Sequence, residues 1–219
     1  QAHILGQTER LNTLLDRMLR LTGYFSALAG VLFRVWGRPA AQLLYQSADA
    51  GFYLETLAPA MPLMYLESMV DGAMKGVGEQ KATFRYSVWD SVLRIAGVVL
   101  LLPRFGMKGF LAVILCSSLY TCAANTGRLL LSSGTPHAFR RWLGAPALAA
   151  LLSAAAGSGL RRALTAGLAG NLPQQLAALA AGGTGTAGVF LLTAWPLGLG
   201  EELGQIRQKH LFRSAKQGK

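Results

Sequence analysis

Glu67, Asp71 and Lys75 follow one another at four-residue intervals inside an apolar stretch, and Asp90 and Arg94 repeat that spacing one stretch later. Residues four apart are neighbours on a helix surface, so each set shares one face. In water such sets are ordinary surface ion pairs. At membrane depth they are expensive, and mark a pathway, a gate or a paired dock. Arg94 is the candidate to meet an anionic substrate; the alternative is an internal salt bridge with Asp90 that docks its helix. Glu67, Asp71 and Lys75 either line a gate or cavity or form a polar helix end among headgroups, Asp71 and Lys75 lying close to the interface. Glu55, near the opposite interface, reads as the acid of a helix start.

Nothing else assembles a catalytic set. His3, His137 and His210 are far apart, and Cys116 and Cys122 stand six apart within an apolar run, which is neither a CxxC pair nor a zinc spacing. Gly183, Gly185 and Gly188 fit GxGxxG, but no strand precedes them and the run around them is apolar and of membrane length. They read instead as small residues that let helices approach. With no nucleophile beside a base and no carboxylates paired for a metal, the chain is expected not to be an enzyme and to use no metal or cofactor.

The elements that must position these residues follow from the distribution of charge. Of 219 residues 52% are hydrophobic and only 14% charged, with a mean hydropathy of +0.36; soluble domains carry about 25% charged residues. The charges punctuate long apolar runs, the pattern that a bilayer imposes. A span needs roughly 20 apolar residues, and six stretches meet or approach that: 19–36, 53–76, 88–102, 110–131, 142–160 and 176–199. The expected fold is an all-α polytopic bundle of about six transmembrane helices. Pro59 and Pro62 interrupt the second span and predict a kink or a broken helix, and Pro103 stops the third. Residues 37–50 read as a short surface helix, 161–175 as a Gly- and Pro-containing connector and 200–219 as a basic tail.

The net charge of +11 fits positive loops beside an anionic leaflet better than a nucleic-acid surface, which would be a basic stripe on a polar fold. With the amino end inside, fourteen Lys and Arg residues fall in inner segments, six in outer ones, and Arg94 within a span. The outer six are Arg34, Arg38, Arg104, Lys108, Arg161 and Arg162. The positive-inside rule then puts both ends of a multi-pass cell-membrane protein in the cytoplasm.

Residues 58–80, APAMPLMYLESMVDGAMKGVGEQ, and residues 87–130, SVWDSVLRIAGVVLLLPRFGMKGFLAVILCSSLYTCAANTGRLL, resemble the carboxy-terminal half of stage V sporulation protein B-like members of the multidrug/oligosaccharidyl-lipid/polysaccharide flippase superfamily. YLESMVDGAMKGVGEQ, LLPRFGMKGFL and AANTGRLL carry most of it. The resemblance implies the last six helices of a fold with about fourteen, related to the MATE antiporters and the lipid II flippase. It divides the chain into four second-lobe helices over 1–136, two additional helices over 137–199 and a cytoplasmic tail over 200–219. In that family two lobes rock about a central cavity and move a lipid-linked sugar by alternating access. The implied partners are the bilayer, a lipid-linked oligosaccharide or peptidoglycan precursor, and an amino-terminal lobe, with no nucleic acid; spore cortex formation is an implied setting. The opening Gln1 reads as the start of a piece of a longer protein. A cation-coupled antiporter and a non-transporting membrane scaffold are the rival expectations.

Overall fold

The computed structural model describes residues 8–133, 144–164 and 171–200. They form six helices: α1 Thr8–Tyr45, α2 Ala48–Leu57, α3 Ala60–Val77, α4 Gln80–Ser133, α5 Ala145–Ala163 and α6 Leu172–Ala194. The last runs into a π-turn at Trp195–Leu199, and no strand occurs among the described residues. Three helical stretches, Thr13–Tyr45, Gln80–Leu129 and Leu172–Leu199, are long and apolar enough to cross a membrane. The expected helical bundle is therefore present, and three of its helical stretches have the length and composition of membrane spans.

The helix boundaries have local causes. Ser47 caps α2, its Oγ accepting the Ala50 N–H at 3.3 Å, and α3 stops where Gly78 takes a left-handed φ of 89° that favours glycine. Asn171 opens α6 in a capping box with Gln174.

Several expected boundaries are corrected. The separate surface helix at 37–50 does not form. α1 runs through Pro39 to Tyr45, and α2 begins only after Gln46 turns the chain with a φ of 52°. The break expected in the second span is present: the stretch is two helices, interrupted at Ala58 and Pro59. Pro62 lies in the first turn of α3, where a backbone N–H has no helical partner to lose. Pro103 does not end the third span; the helix passes it, and the backbone breaks at Gly106 with φ 57° and ψ −142°. A straight helix of 54 residues would be about 81 Å long, far beyond the roughly 30 Å hydrocarbon core. Instead α4 folds back on itself. Gly97 faces Val113, Gly109 lies against the Leu101 carbonyl, and Arg94 reaches Ser117. The two legs thus occupy the places of the third and fourth expected spans. The connector at 161–175 is partly helical, supplying the end of α5 and the start of α6; its residues 165–170, the three histidines and the tail beyond Gly200 lie outside the described residues.

α1 is the centre of the bundle. On one side Leu19 joins Leu66, Val70, Met74, Cys122 and Leu129 of α3 and α4 in a buried cluster. On the other, Tyr24, Ala27, Val31, Val35 and Trp36 pack with Ala149 of α5 and Phe190 and Ala194 of α6. α6 buries every fourth residue (Ala178, Gly182, Thr186, Phe190 and Ala194), a stripe on one face. Gly182 is required there because a Cβ would fall inside the Trp36 ring, whose Nε1 donates to Thr186 Oγ1 at 2.9 Å. Of the three glycines in the GxGxxG match, Gly185 meets a neighbour, Leu160, while nothing lies near Gly183 or Gly188.

Beside these apolar clusters, small polar residues are also buried and many large apolar side chains are exposed. Ser26, Ser117, Ser118, Thr121, Asn125, Thr126, Ser153 and Thr186 are buried, while Ile95, Val99 and Leu192 are 66%, 64% and 77% exposed. In water so large an apolar exterior would be an aggregation liability. In lipid it costs nothing, and small polar residues between helices are the usual means of close packing.

Candidate functional site

Two ionic clusters and a groove make up the candidate site. The first cluster lies between the legs of α4. Asp90 is buried, and its Oδ2 accepts from Arg94 Nη2 at 3.0 Å. Its Oδ1 accepts from Ser117 Oγ in a short hydrogen bond and from Thr121 Oγ1 at 3.2 Å. Ser117 Oγ in turn accepts from Arg94 Nη2 at 2.8 Å and from Nε at 3.2 Å. One acid, one base and two hydroxyls therefore close on one another, which is how a charge pair is tolerated at membrane depth. Glu67 on α3 is partly buried and stands within electrostatic reach of both Asp90 and Arg94. Asp71 and Lys75 pair with each other at 2.7 Å on the exposed side of α3. At the open end of the hairpin Arg128 binds Glu79 through Nε at 3.3 Å and Nη2 at 3.0 Å.

The second cluster centres on Glu55. It does not start a helix; it lies in the last turns of α2 and is buried, because α2 begins at Ala48 with Asp49 as its first-turn acid. Around it stand three arginines. Arg38 Nε is 2.8 Å and Arg34 Nη1 is 3.6 Å from Oε2, and Arg161 Nη1 donates to Oε1 at 3.2 Å. The close crossing of α1 and α2 that allows this depends on glycines. A Cβ on Gly51 would lie 2.9 Å from Arg38 Cα, and one on Gly37 would lie 3.2 Å from Leu54 Cβ. Arg161 is held twice. Pro39 has no N–H, so the Val35 carbonyl four residues earlier has no helical donor, and Arg161 Nη1 donates to that carbonyl at 2.9 Å.

The third feature is a groove of about 490 Å³ between α1, α3 and α5. Gly23, Ala27 and Gly30 form its floor on α1, and Pro62, Ala147 and Ala150 are among its walls. It is apolar nearly throughout, with Ser26 along it and Arg34 of the second cluster as its one charged lining residue. Gly30 allows α1 to pass the break before α3: a Cβ there would lie 3.0 Å from the Ala58 carbonyl oxygen. The break at Pro59 thus shapes the groove.

Of the expected site residues, the structure joins Arg94 and Asp90 directly, leaves Glu67 partly buried on α3 outside that hydrogen-bonded set, leaves Asp71 and Lys75 as an exposed pair, and puts Pro59 and Pro62 on the groove wall. Reasoning from the sequence missed the Glu55 cluster. Its one legible signal was the presence of Arg34, Arg38 and Arg161 on the same predicted side of the membrane. Comparison with protein-family models, with curated proteins and with solved structures gave no match.

Proposed function

We propose that this chain is the carboxy-terminal part of a membrane flippase that translocates a lipid-linked oligosaccharide or peptidoglycan precursor, with six spans formed by α1, α3, the two legs of α4, α5 and α6. The observation that carries the reading is the apolar groove between α1, α3 and α5, bounded at one end by Arg34. A lipid-linked sugar is amphipathic, with a long apolar chain and an anionic phosphate, and a groove with one charged end matches that division. The Asp90–Arg94–Ser117 cluster, internally balanced, holds the hairpin that lines the other side of the bundle, and movement of one lobe against the other needs such rigid bodies.

The test is photocrosslinking in proteoliposomes with a polyprenyl-pyrophosphate disaccharide carrying a diazirine on its chain. Crosslinks concentrated at groove positions such as Ala147 and Ala150, displaced by unlabelled substrate, are the expected result. Crosslinks spread evenly over the lipid-facing legs of α4 would sink the reading.

A cation-coupled antiporter is the second reading, and one observation favours it: Glu67 is a partly buried carboxylate on α3, the helix that packs against the α4 hairpin holding Asp90. That reading requires a sodium or proton gradient to drive export and Glu67→Gln to abolish it.

A further inference from the structure

The Glu55 cluster carries more positive charge than it needs. One carboxylate faces three guanidiniums, a local excess of two. The three arginines are not equivalent. Arg161 is engaged by both Glu55 and the Val35 carbonyl, whereas the Arg34 and Arg38 side chains are 60% and 52% exposed. Each guanidinium has five N–H donors. Glu55 takes Nε of Arg38 and sits 3.6 Å from one nitrogen of Arg34. The buried acid therefore fixes the position of two partly exposed guanidiniums without neutralising them.

The cluster also has a defined place relative to the groove. Arg34 belongs to both. From Gly23 to Arg34 the groove follows α1 for twelve residues, eleven helical steps or about 16 Å of helix axis. Half of a roughly 30 Å hydrocarbon core is about 15 Å. A groove of that length matches one leaflet, so a chain seated in it would bring its headgroup to the Arg34 end.

We propose that Arg34 and Arg38, positioned by Glu55 and Arg161, bind the phosphate of an anionic phospholipid whose acyl chain lies in the groove between α1, α3 and α5. The occupant follows from charge and shape: guanidiniums select a phosphate through paired N–H donors, and the apolar groove selects a chain about one leaflet long. The site rests on the chain being a membrane bundle and does not require transport, so a phospholipid without sugar tests it separately from the flippase reading.

The experiment is native mass spectrometry of the full chain released from micelles, titrated with palmitoyl-oleoyl phosphatidylglycerol and, separately, with the phosphatidylcholine of the same chains. The unaltered chain should retain one phosphatidylglycerol with about tenfold preference over phosphatidylcholine. R34Q/R38Q should bring that preference to about one, and R34K/R38K should restore part of it. A147F, which fills the groove from an exposed wall position, should weaken retention of both lipids while leaving the arginines in place. Equal retention of the two lipids, or an unchanged preference in R34Q/R38Q, would overturn the proposal. So would displacement of the lipid by millimolar inorganic phosphate together with indifference to A147F, which would mark an ion site with no acyl-chain component.

Discussion

The two ionic clusters are built from the same residue types and reach opposite electrical outcomes. Between the legs of α4, Asp90 and Arg94 come from one helix turn, and Ser117 and Thr121 supply hydroxyls from the returning leg; the charges cancel and the hydrogen bonds close within the hairpin. Around Glu55, one acid from α2 gathers arginines from α1 and α5, up to 106 residues away, and remains outnumbered. A balanced cluster within one element suits a dock. An unbalanced cluster drawn from three elements both joins those elements and leaves charge to offer. Equal numbers of contacts would hide this difference; net charge and the origin of each residue expose it.

The comparison can be broken at its strongest point by Glu55→Ala. Three arginines would lose their common acceptor and repel one another, and Arg161 would keep the Val35 carbonyl alone. Removing one partner of a buried pair costs about 3–5 kcal/mol; with Arg34 and Arg38 half exposed, about 2–4 kcal/mol is expected. Unfolding in mixed micelles measures it, and a loss below about 1 kcal/mol would mean that the acid does not organise the cluster. Next in size is Gly106→Ala. A side chain must there adopt the backbone of the α4 fold-back, at a cost of about 1–3 kcal/mol. The same micelle assay reads it, and an unchanged midpoint would show that the reversal lies elsewhere.

Asp90→Asn sharpens the contrast from the other side. The amide oxygen can still accept from Ser117 or Thr121, and only the charge facing a half-exposed Arg94 is lost, so about 1–2 kcal/mol is expected. A cost exceeding that of Glu55→Ala would reverse the ranking of the two clusters. The smallest effect is expected from Asp71→Ala. Its pair with Lys75 is exposed and within one helix, contributing less than about 0.5 kcal/mol. A double-mutant cycle with Lys75→Ala should give a coupling near zero in high salt.

How far the sequence foretold these regions follows from the same difference. The hairpin cluster was half legible because Asp90 and Arg94 lie one turn apart in an apolar run; Ser117, 27 residues from Asp90, was not, since a buried serine in a span looks the same wherever it faces. The chain reversal falls at Gly106, within the interval expected between the spans 88–102 and 110–131; only the end of the third span was set too early, at Pro103. A proline within a helix costs one hydrogen bond, and the chain there bears that cost and turns at the residue that tolerates positive φ. The same bias hid the true end of α1, which passes Pro39. The Glu55 cluster was illegible because its partners meet only through tertiary packing, and because a helix-start acid is the ordinary reading of a glutamate at the edge of an apolar run. The groove was invisible for a further reason: it is an absence of side chain, set by Gly23, Gly30 and Ala27 against a break before α3.

Pro39 leaves a fixed mark on α1: one carbonyl, at Val35, without the helical N–H that it would otherwise accept from. Arg161 can satisfy it at a single height along the helix axis, because a slip of one turn would move the guanidinium by about 5.4 Å, past the reach of both Val35 and Glu55. The contact therefore acts as a bolt against sliding. A proline in the first helix in this way sets the axial register of a helix more than a hundred residues later.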